Sequence, residues 1–295
     1  MARVGFVGLG YMGRPMARKI LEAGHALHVF SATAEAVADL VALGAVAAPS
    51  VDALAAEVNI LCNCRVTPAQ SREVFLGSAL TRGRSGLVCV DFSTIDPMTS
   101  REIAAALEPA GIAYLDAPVS GGPVGAEART LSVIVGGPEA AFEAARPVFD
   151  AVGSKVFHMG PVGAGVATKL CNNMITGTLH VLLAEAMVLG TKAGIEPRRL
   201  YDVLRQSSAR GNTLDRVVPN HFLPRNFEAL SALTTMIKDL ECIGDTAKAL
   251  GVRLLLPTVA QQCYVEAAGL GHGDKDLSAV ILPMEAIAGV KVGPA

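Results

Sequence analysis

The residues Gly8, Leu9, Gly10, Tyr11, Met12 and Gly13 constrain this chain more than any others. They follow an apolar run, Val4 to Val7, and open a stretch of helical period, the strand-turn-helix setting that a G-x-G-x-x-G turn needs to hold a dinucleotide. Gly8 permits the tight turn, Gly10 lets the backbone approach a pyrophosphate with no Cβ in the way, and Gly13 lets the helix close on the strand. The phosphates then face free amides at the start of the helix. An ordinary glycine turn is the plainer reading. The β-α-β context favours the dinucleotide and makes residues 8 to 13 candidate cofactor contacts.

Short β-rich runs alternate with helical stretches through the first half. The runs are Val4-Val7, Leu27-Phe30, Asn59-Cys62, Leu87-Asp91, Ala113-Asp116 and Leu131-Val135; helical period marks Met12-Ala23, Ala34-Leu43, Pro97-Ala110 and Pro138-Ala151. Such alternation predicts a doubly wound α/β domain with a parallel sheet. After about Gly163 the strand signals vanish. Long Ala/Leu/Val-rich segments at 165–194, 197–207, 232–250 and 257–269 predict an all-α half. The Gly160-to-Gly165 stretch punctuates the change, so the expected domains are 1–162 and 163–295. With 295 residues, 51% of them hydrophobic, the chain can fill two cores.

Charge narrows the partners. A net charge of -2, without long runs of either sign, offers no basic surface to nucleic acid or anionic lipid, which leaves a small molecule. The apolar window at 179–189 is interrupted by His180 and Glu185 and followed by Lys192, so it reads as a buried helix of a cytoplasmic protein, not a membrane span. The run Val4-Val7 is too short for a signal-peptide core. Six cysteines form no C-x-x-C pair and read as reduced core residues.

Two further segments carry chemistry. Strand Ala113-Asp116 leads into Ala117-Pro118-Val119-Ser120-Gly121-Gly122, whose hydroxyl and successive unhindered amides suit an anion. The alternative is a structural turn with glycines chosen for positive φ. Next, Lys169, Asn173, Thr176 and His180 fall on one face of a long apolar helix. A solvated face or a polar seam between helices would give the same spacing. A lysine held beside a desolvated, positively charged nicotinamide gives up its proton more readily, which suits proton transfer near neutral pH. At the adenosine end, Ser31 stands where an acid commonly binds the ribose 2′-hydroxyl of NAD. No arginine follows to favour a 2′-phosphate; Ala32 and Thr33 do, so NAD and NADP both remain open.

These segments, in this order, resemble the β-hydroxyacid dehydrogenase family, which includes 3-hydroxyisobutyrate dehydrogenase and tartronate semialdehyde reductase. The resemblance covers nearly the whole chain: Gly8 to Met16, Ser93-Thr94, Asp116 to Gly122, Lys169 to Asn173 and Lys238-Asp239-Leu240. It implies a Rossmann-type domain followed by a helical domain, with the active site in the cleft and subunits joined through the helical part as a homodimer or homotetramer. It implies that Lys169 is the general acid/base, that Asn173 orients lysine and substrate, and that Ser120, Gly121 and Gly122 hold a substrate carboxylate. Thr94 resembles the residue beside the nicotinamide ribose, and Lys238 one lining the cofactor side.

The chain departs from that pattern in places. Cys62-Asn63-Cys64-Arg65 replaces a Met-Leu-Pro-like segment, which makes Cys64 and Arg65 candidate cofactor contacts, Arg65 toward a phosphate. Arg129 stands where relatives have glycine and reads as a surface loop charge; the segment from Phe227 to Lys238 is longer than the pattern. The rival readings are an imine or short-chain aldehyde reductase on the same scaffold, and a non-catalytic dinucleotide-binding protein.

Overall fold

The computed structural model describes residues 1–77, 85–229 and 232–294. It forms two compact units, Met1–Leu170 and Cys171–Ala295. The first begins with β1 (Arg3–Val7), α1 (Gly13–Glu22), β2 (Ala26–Phe30), α2 (Ala34–Ala42), β3 (Val46–Ala47), α3 (Val51–Glu57), β4 (Ile60–Asn63), α4 (Pro68–Phe75), β5 (Val88–Asp91), α5 (Pro97–Leu107) and β6 (Ala113–Asp116). Six strands pair in parallel in the order β3-β2-β1-β4-β5-β6.

Period-two alternation gives this sheet two apolar faces. Phe6, Cys62, Val90 and Leu115 pack with Met16, Ile20 and Phe149 on one side; Val7, Leu61, Cys89 and Tyr114 pack with Leu54, Phe75 and Ile103 on the other. This is the doubly wound sheet expected from the sequence. Its strand order reverses between β1 and β4, and open α/β sheets hold ligands beyond the carboxyl ends of strands at such a reversal.

Leu131–Val135, expected in the same sheet, belongs to a second one. Pro118 has no amide with which to extend β6, and its carbonyl takes the Ile134 N–H at 3.0 Å. The chain therefore builds β7 (Val119–Ser120), α6 (Gly122–Glu127), β8 (Leu131–Val135), α7 (Glu139–Val152) and β9 (Gly153–His158), a sheet ordered β7-β8-β9. β7 runs antiparallel to β8, and β9 parallel to it.

Arg129 lies between α6 and β8 with φ of 57°, a left-handed conformation that glycine adopts at no cost. Its side chain is exposed but is more than a loop charge. The guanidinium donates to the carbonyls of Ala151 at 3.1 Å and Asp150 at 3.3 Å, at the end of α7. There it satisfies orphan acceptors and meets the negative end of the helix dipole.

α8 (Ala164–Lys192) is a single helix in which the division between the units falls, beyond the glycine-rich stretch. Gly165 seats its first turn: a Cβ there would lie 2.7 Å from the Asp116 carbonyl oxygen and 2.8 Å from the Gly136 nitrogen. Among the described residues α8 is also the one helix long and apolar enough to cross a bilayer, with mean hydropathy 1.4, a test that buried core helices pass as well.

The second unit continues with α9 (Pro197–Leu204), α10 (Asn212–Val217), a π turn at Val218–Phe222, α11 (Leu233–Leu250), α12 (Leu256–Ala267) and α13 (Ile281–Ala288). Its helices pack closely; the Tyr264 hydroxyl donates to the Gly177 carbonyl of α8 at 2.9 Å. Part of the Phe227-to-Lys238 segment, residues 230–231, lies outside the described residues. All six cysteines are free, but only Cys62, Cys89 and Cys242 are buried, and Cys171 is exposed on α8, which corrects the expectation that they are core residues.

Candidate active site

The three glycines of the first turn do three different things. Gly8 has φ of 90°, and a Cβ there would lie 2.6 Å from the Cys64 carbonyl oxygen. A Cβ at Gly13 would strike the Gly8 carbonyl, so α1 closes directly on the turn. Gly10 differs: a Cβ there would meet nothing within 4 Å. The protein's own packing does not require glycine at position 10, and the space it leaves open suits a close-lying pyrophosphate. No side chain caps the start of α1 and no acid sits in its first turn, so its positive end is left to an anion. Tyr11 is 89% exposed beside this turn, whereas Leu9 is buried and Met12 packs against the core.

The residues expected at the adenosine end lie on neighbouring strand ends. Ser31 follows β2, and its Oγ accepts the Thr33 N–H at 3.3 Å; the Thr33 side chain leaves the start of α2 uncapped. A groove of about 560 Å³ is lined by Gly10, Tyr11, Arg14, Thr33, Glu35 and Asp39 among others. Arg65 follows β4 with its stem against Gly8, and its guanidinium pairs with Glu73 at 3.1 Å. Cys64 is half-buried, and burial pushes its thiol up to about 12, so it stays a thiol.

Asn63, Asp91 and Asp116 end β4, β5 and β6 in matching register, and all three are fully buried. The Asn63 amide donates to Asp91 at 3.0 Å, to Ser93 at 3.1 Å and to Ser71 at 3.2 Å. Asp91 also accepts the Ser93 amide at 3.0 Å and the Tyr114 hydroxyl at 3.2 Å. Burial raises the Asp91 carboxyl above its ordinary range, and the donors from Ser93, Ser71 and Asn63 pull it back. Because Ser93 Oγ accepts the Arg65 amide at 3.1 Å as well, this network ties the start of the Ser93-Thr94 loop to the Cys64-Arg65 loop. Thr94 is half-buried next to it. No motif in the sequence assigns a site role to Asn63, Asp91 or Asp116; the available signal is a polar residue closing each of three apolar runs.

Asp116 holds the start of α8. Its Oδ1 accepts the Gly163 amide at 2.7 Å and its Oδ2 the Val166 amide at 2.8 Å. Burial pushes its carboxyl up to about 6 against the pull of those amides. Four residues further along the chain, Ser120 is half-buried in β7 opposite Ser132. Gly121 and Gly122 follow with φ of 135° and 65°, so both glycines satisfy the structural-turn requirement and present an exposed backbone at the start of α6. Lys169 sits on α8 shortly after Val166 and is 9% exposed.

In the second unit Asn173 is 8% exposed, and its Nδ2 donates to Asp239 at 2.6 Å. Its own Oδ1 accepts from Asn172 at 3.0 Å. Asp239 is 4% exposed and also pairs with Lys238 at 2.6 Å. The family resemblance gives a role to Lys238 and none to Asp239, the group that joins it to Asn173. His180 is a core residue of the polar-seam kind: it is 2% exposed, its Nδ1 lies 2.8 Å from the Thr176 carbonyl, and burial lowers its imidazole to about 4. Among the described residues no cluster of His, Cys, Asp and Glu is arranged to hold a metal.

Residues 3–160 match the family described as the NAD binding domain of 6-phosphogluconate dehydrogenase, and residues 163–284 the one described as "NAD-binding of NADP-dependent 3-hydroxyisobutyrate dehydrogenase". The chain is 35% identical over 292 residues to 2-(hydroxymethyl)glutarate dehydrogenase of Eubacterium barkeri, covering 98% of this chain and 97% of that one. It is 36% identical to the NAD-dependent L-serine dehydrogenase of Pseudomonas aeruginosa, covering 95% and 97%. The Mycobacterium tuberculosis 3-hydroxyisobutyrate dehydrogenase solved with L-serine superposes with a TM-score of 0.87 at 33% identity, covering 96% of this chain and 99% of that one. A Pseudomonas imine reductase shares the fold at 19% identity, with a TM-score of 0.64. Two family matches that between them span both units, and relatives aligned along nearly the whole chain, show that this protein belongs to the β-hydroxyacid dehydrogenase family of NAD(P)-dependent oxidoreductases.

Proposed function

We propose that this enzyme moves a hydride between NAD or NADP and a short β-hydroxyacid, or its semialdehyde or keto partner, with Lys169 as general acid/base. The observation that carries the reading is the burial of Lys169, which is 9% exposed on a helix whose first turn is held by the strand leading to Ser120. Lysine is seldom buried this far unless it is paired. The nicotinamide ring, when bound, supplies or accepts the hydride. In oxidation the Lys169 amine takes the hydroxyl proton; in reduction its ammonium returns a proton to the carbonyl oxygen. The Ser120 hydroxyl and the Gly121 and Gly122 amides bind the carboxylate, and Asn173 orients the reacting oxygen. On the cofactor side, residues 8–13, Ser31, Cys64, Arg65, Thr94 and Lys238 are the contacts proposed.

Lys169→Ala is expected to lower kcat by roughly 10²- to 10⁴-fold while the NADH or NADPH dissociation constant, read by fluorescence, stays within about twofold. Near-normal kcat in that variant would remove the mechanism. A panel of 3-hydroxyisobutyrate, L-serine and 2-(hydroxymethyl)glutarate, each with both cofactors, tests the substrate class; turnover that requires an amine and a carbonyl would point to imine reduction instead.

The second unit also supports a homo-oligomer. Ile175, Leu182 and Leu189 recur at seven-residue spacing on α8 and are 57%, 55% and 72% exposed, and Leu255, Leu256 and Val259 are 59%, 71% and 64% exposed. Exposed apolar surface of this extent marks association. Free cysteines fit the reducing cytoplasm. Light scattering that returned a monomer at micromolar concentration would count against the oligomer.

A further inference from the structure

We propose that Asp116 is a positioning residue for the reaction: by clamping the first turn of α8 onto the end of β6, it sets the position of Lys169 relative to Ser120. The inference rests on the reading of Lys169 as the acid/base.

Helix starts leave amide donors unsatisfied, and a residue adjacent in sequence usually caps them. Here the cap comes from a distant strand. The two oxygens of one carboxylate take the amides of Gly163 and Val166 at 2.7 and 2.8 Å. Among short side chains only a carboxylate offers two acceptor oxygens and no donor, so asparagine can satisfy one amide but turns its NH₂ toward the other.

The clamp has little slack. Asp116 exchanges two backbone hydrogen bonds with Gly136, at 3.1 and 2.8 Å. A Cβ at Gly136 would lie 2.7 Å from Asp116 Oδ1, and one at Gly165 would lie 2.7 Å from the Asp116 carbonyl oxygen. Backbone therefore rests on backbone at Gly165, and the short Asp116 carboxylate is the side chain that ties the strand to the helix. Lys169 stands three residues past Val166, about 4.5 Å along the helix axis. Ser120 stands four residues past Asp116 on the other branch, in register with Ser132 of β8. Asp116 is thus the shared reference point of the proton-transfer group and the carboxylate-binding loop. Catalysis is sensitive to such placement: a misplacement of about 1 Å costs on the order of 100-fold in rate.

The test compares Asp116→Asn, which keeps one amide bond, with Asp116→Ala, which keeps neither, at a temperature where circular dichroism shows both folded. Expected are losses in kcat of about 10-fold and about 100-fold respectively, with the NADH or NADPH dissociation constant within about twofold of the parent. The Lys169 amine should also react faster with acetic anhydride, read by peptide mass. That measurement needs no substrate, and it stands on Asp116→Asn alone if the alanine variant fails to fold. Asp116→Asn combined with Lys169→Ala should be no slower than Lys169→Ala by itself, because the clamp acts through the lysine. A role confined to stability would lower the melting temperature, leave kcat per folded molecule and lysine labelling unchanged, and overturn the proposal. Full activity of Lys169→Ala would instead remove the acid/base reading beneath it, so the two failures are distinguishable.

Discussion

The side-chain amide of Asn173 donates to the carboxylate of Asp239 at 2.6 Å, and both groups are almost fully buried. That carboxylate also neutralises Lys238, whose side chain is 16% exposed. Replacing Asp239 by alanine would leave an amide and an ammonium without their shared acceptor. Leaving the buried Asn173 amide without this acceptor costs about 1–3 kcal/mol, so urea unfolding of Asp239→Ala should show a loss in that range. If Asn173 needs Asp239 to face the substrate, Asp239→Asn should lower kcat at least tenfold. A variant with parent-like kcat and stability would show that the pair does neither job.

The glycine turn predicts a separation between binding and stability. Gly10 has open space where its side chain would go, so Gly10→Val should leave the melting temperature within about 2 °C, because surface changes of this kind stay near 0.5 kcal/mol. Its affinity for NADH and NADPH should nonetheless fall at least tenfold, since the valine fills the space left for pyrophosphate. Gly13→Ala should behave in the opposite order, with its Cβ driven into the Gly8 carbonyl and stability lost first. Equal melting temperatures for the two variants would contradict this division.

Arg129 combines a strained backbone with two useful hydrogen bonds. A left-handed conformation costs a non-glycine residue about 1–2 kcal/mol, and bonds from a charged donor to helix-terminal carbonyls return a comparable amount. Arg129→Gly, which relieves the left-handed strain and loses the two bonds together, should therefore lie within about 1 kcal/mol of the parent. Arg129→Ala keeps the strain and loses the bonds, so it should be less stable than both by about 1–2 kcal/mol. Chemical denaturation of the three proteins checks the order.

Acid should weaken the second unit through His180. Its imidazole is held down to about 4 by burial, whereas an unfolded histidine titrates near 6.5. Between those values the unfolded chain binds more protons. The stabilisation is complete above pH 6.5 and is lost as pH falls toward 4, by up to about 3 kcal/mol at about 1.36 kcal/mol for each pH decade between the two values. Asp116, in the first unit, has the opposite sign. Its carboxyl is raised to about 6, so its contribution is complete below about pH 3.9 and is lost as pH rises through 6. His180→Leu should shrink the stability difference of the second unit between pH 7 and pH 5, read by amide hydrogen exchange of its helices. An undiminished difference would assign the acid sensitivity elsewhere.

Most of the strands that were legible in the sequence are apolar runs buried on both faces, and β2, which alternates buried with half-buried residues, was legible from its own apolar run. β3 escaped because both of its residues, Val46 and Ala47, are exposed, and β9 because most of Gly153–His158 is exposed or half-buried. α4 carried a readable start signal that periodicity overshadowed. Thr67 and Gln70 form a reciprocal capping box, with Pro68 in the first turn. Within the candidate site, the glycine turn and Lys169 stand out because their residue types are unusual where they occur. Asp239 and Asp116 do not, since each acquires meaning from a group 66 or 47 residues away. No local pattern encodes that pairing.

The buried rung formed by Asn63, Asp91 and Asp116 has a bearing on how this scaffold tolerates change. Each of the three loops that leave it, at Cys64-Arg65, Ser93-Thr94 and Pro118-to-Gly122, departs from a side chain locked in place by hydrogen bonds. Variation downstream of those anchors is then insulated from the sheet, whereas variation in an anchor propagates to its neighbour. Efforts to retune which nucleotide is accepted therefore belong past the rung, in residues such as Arg65, with the three anchoring side chains kept as a fixed platform.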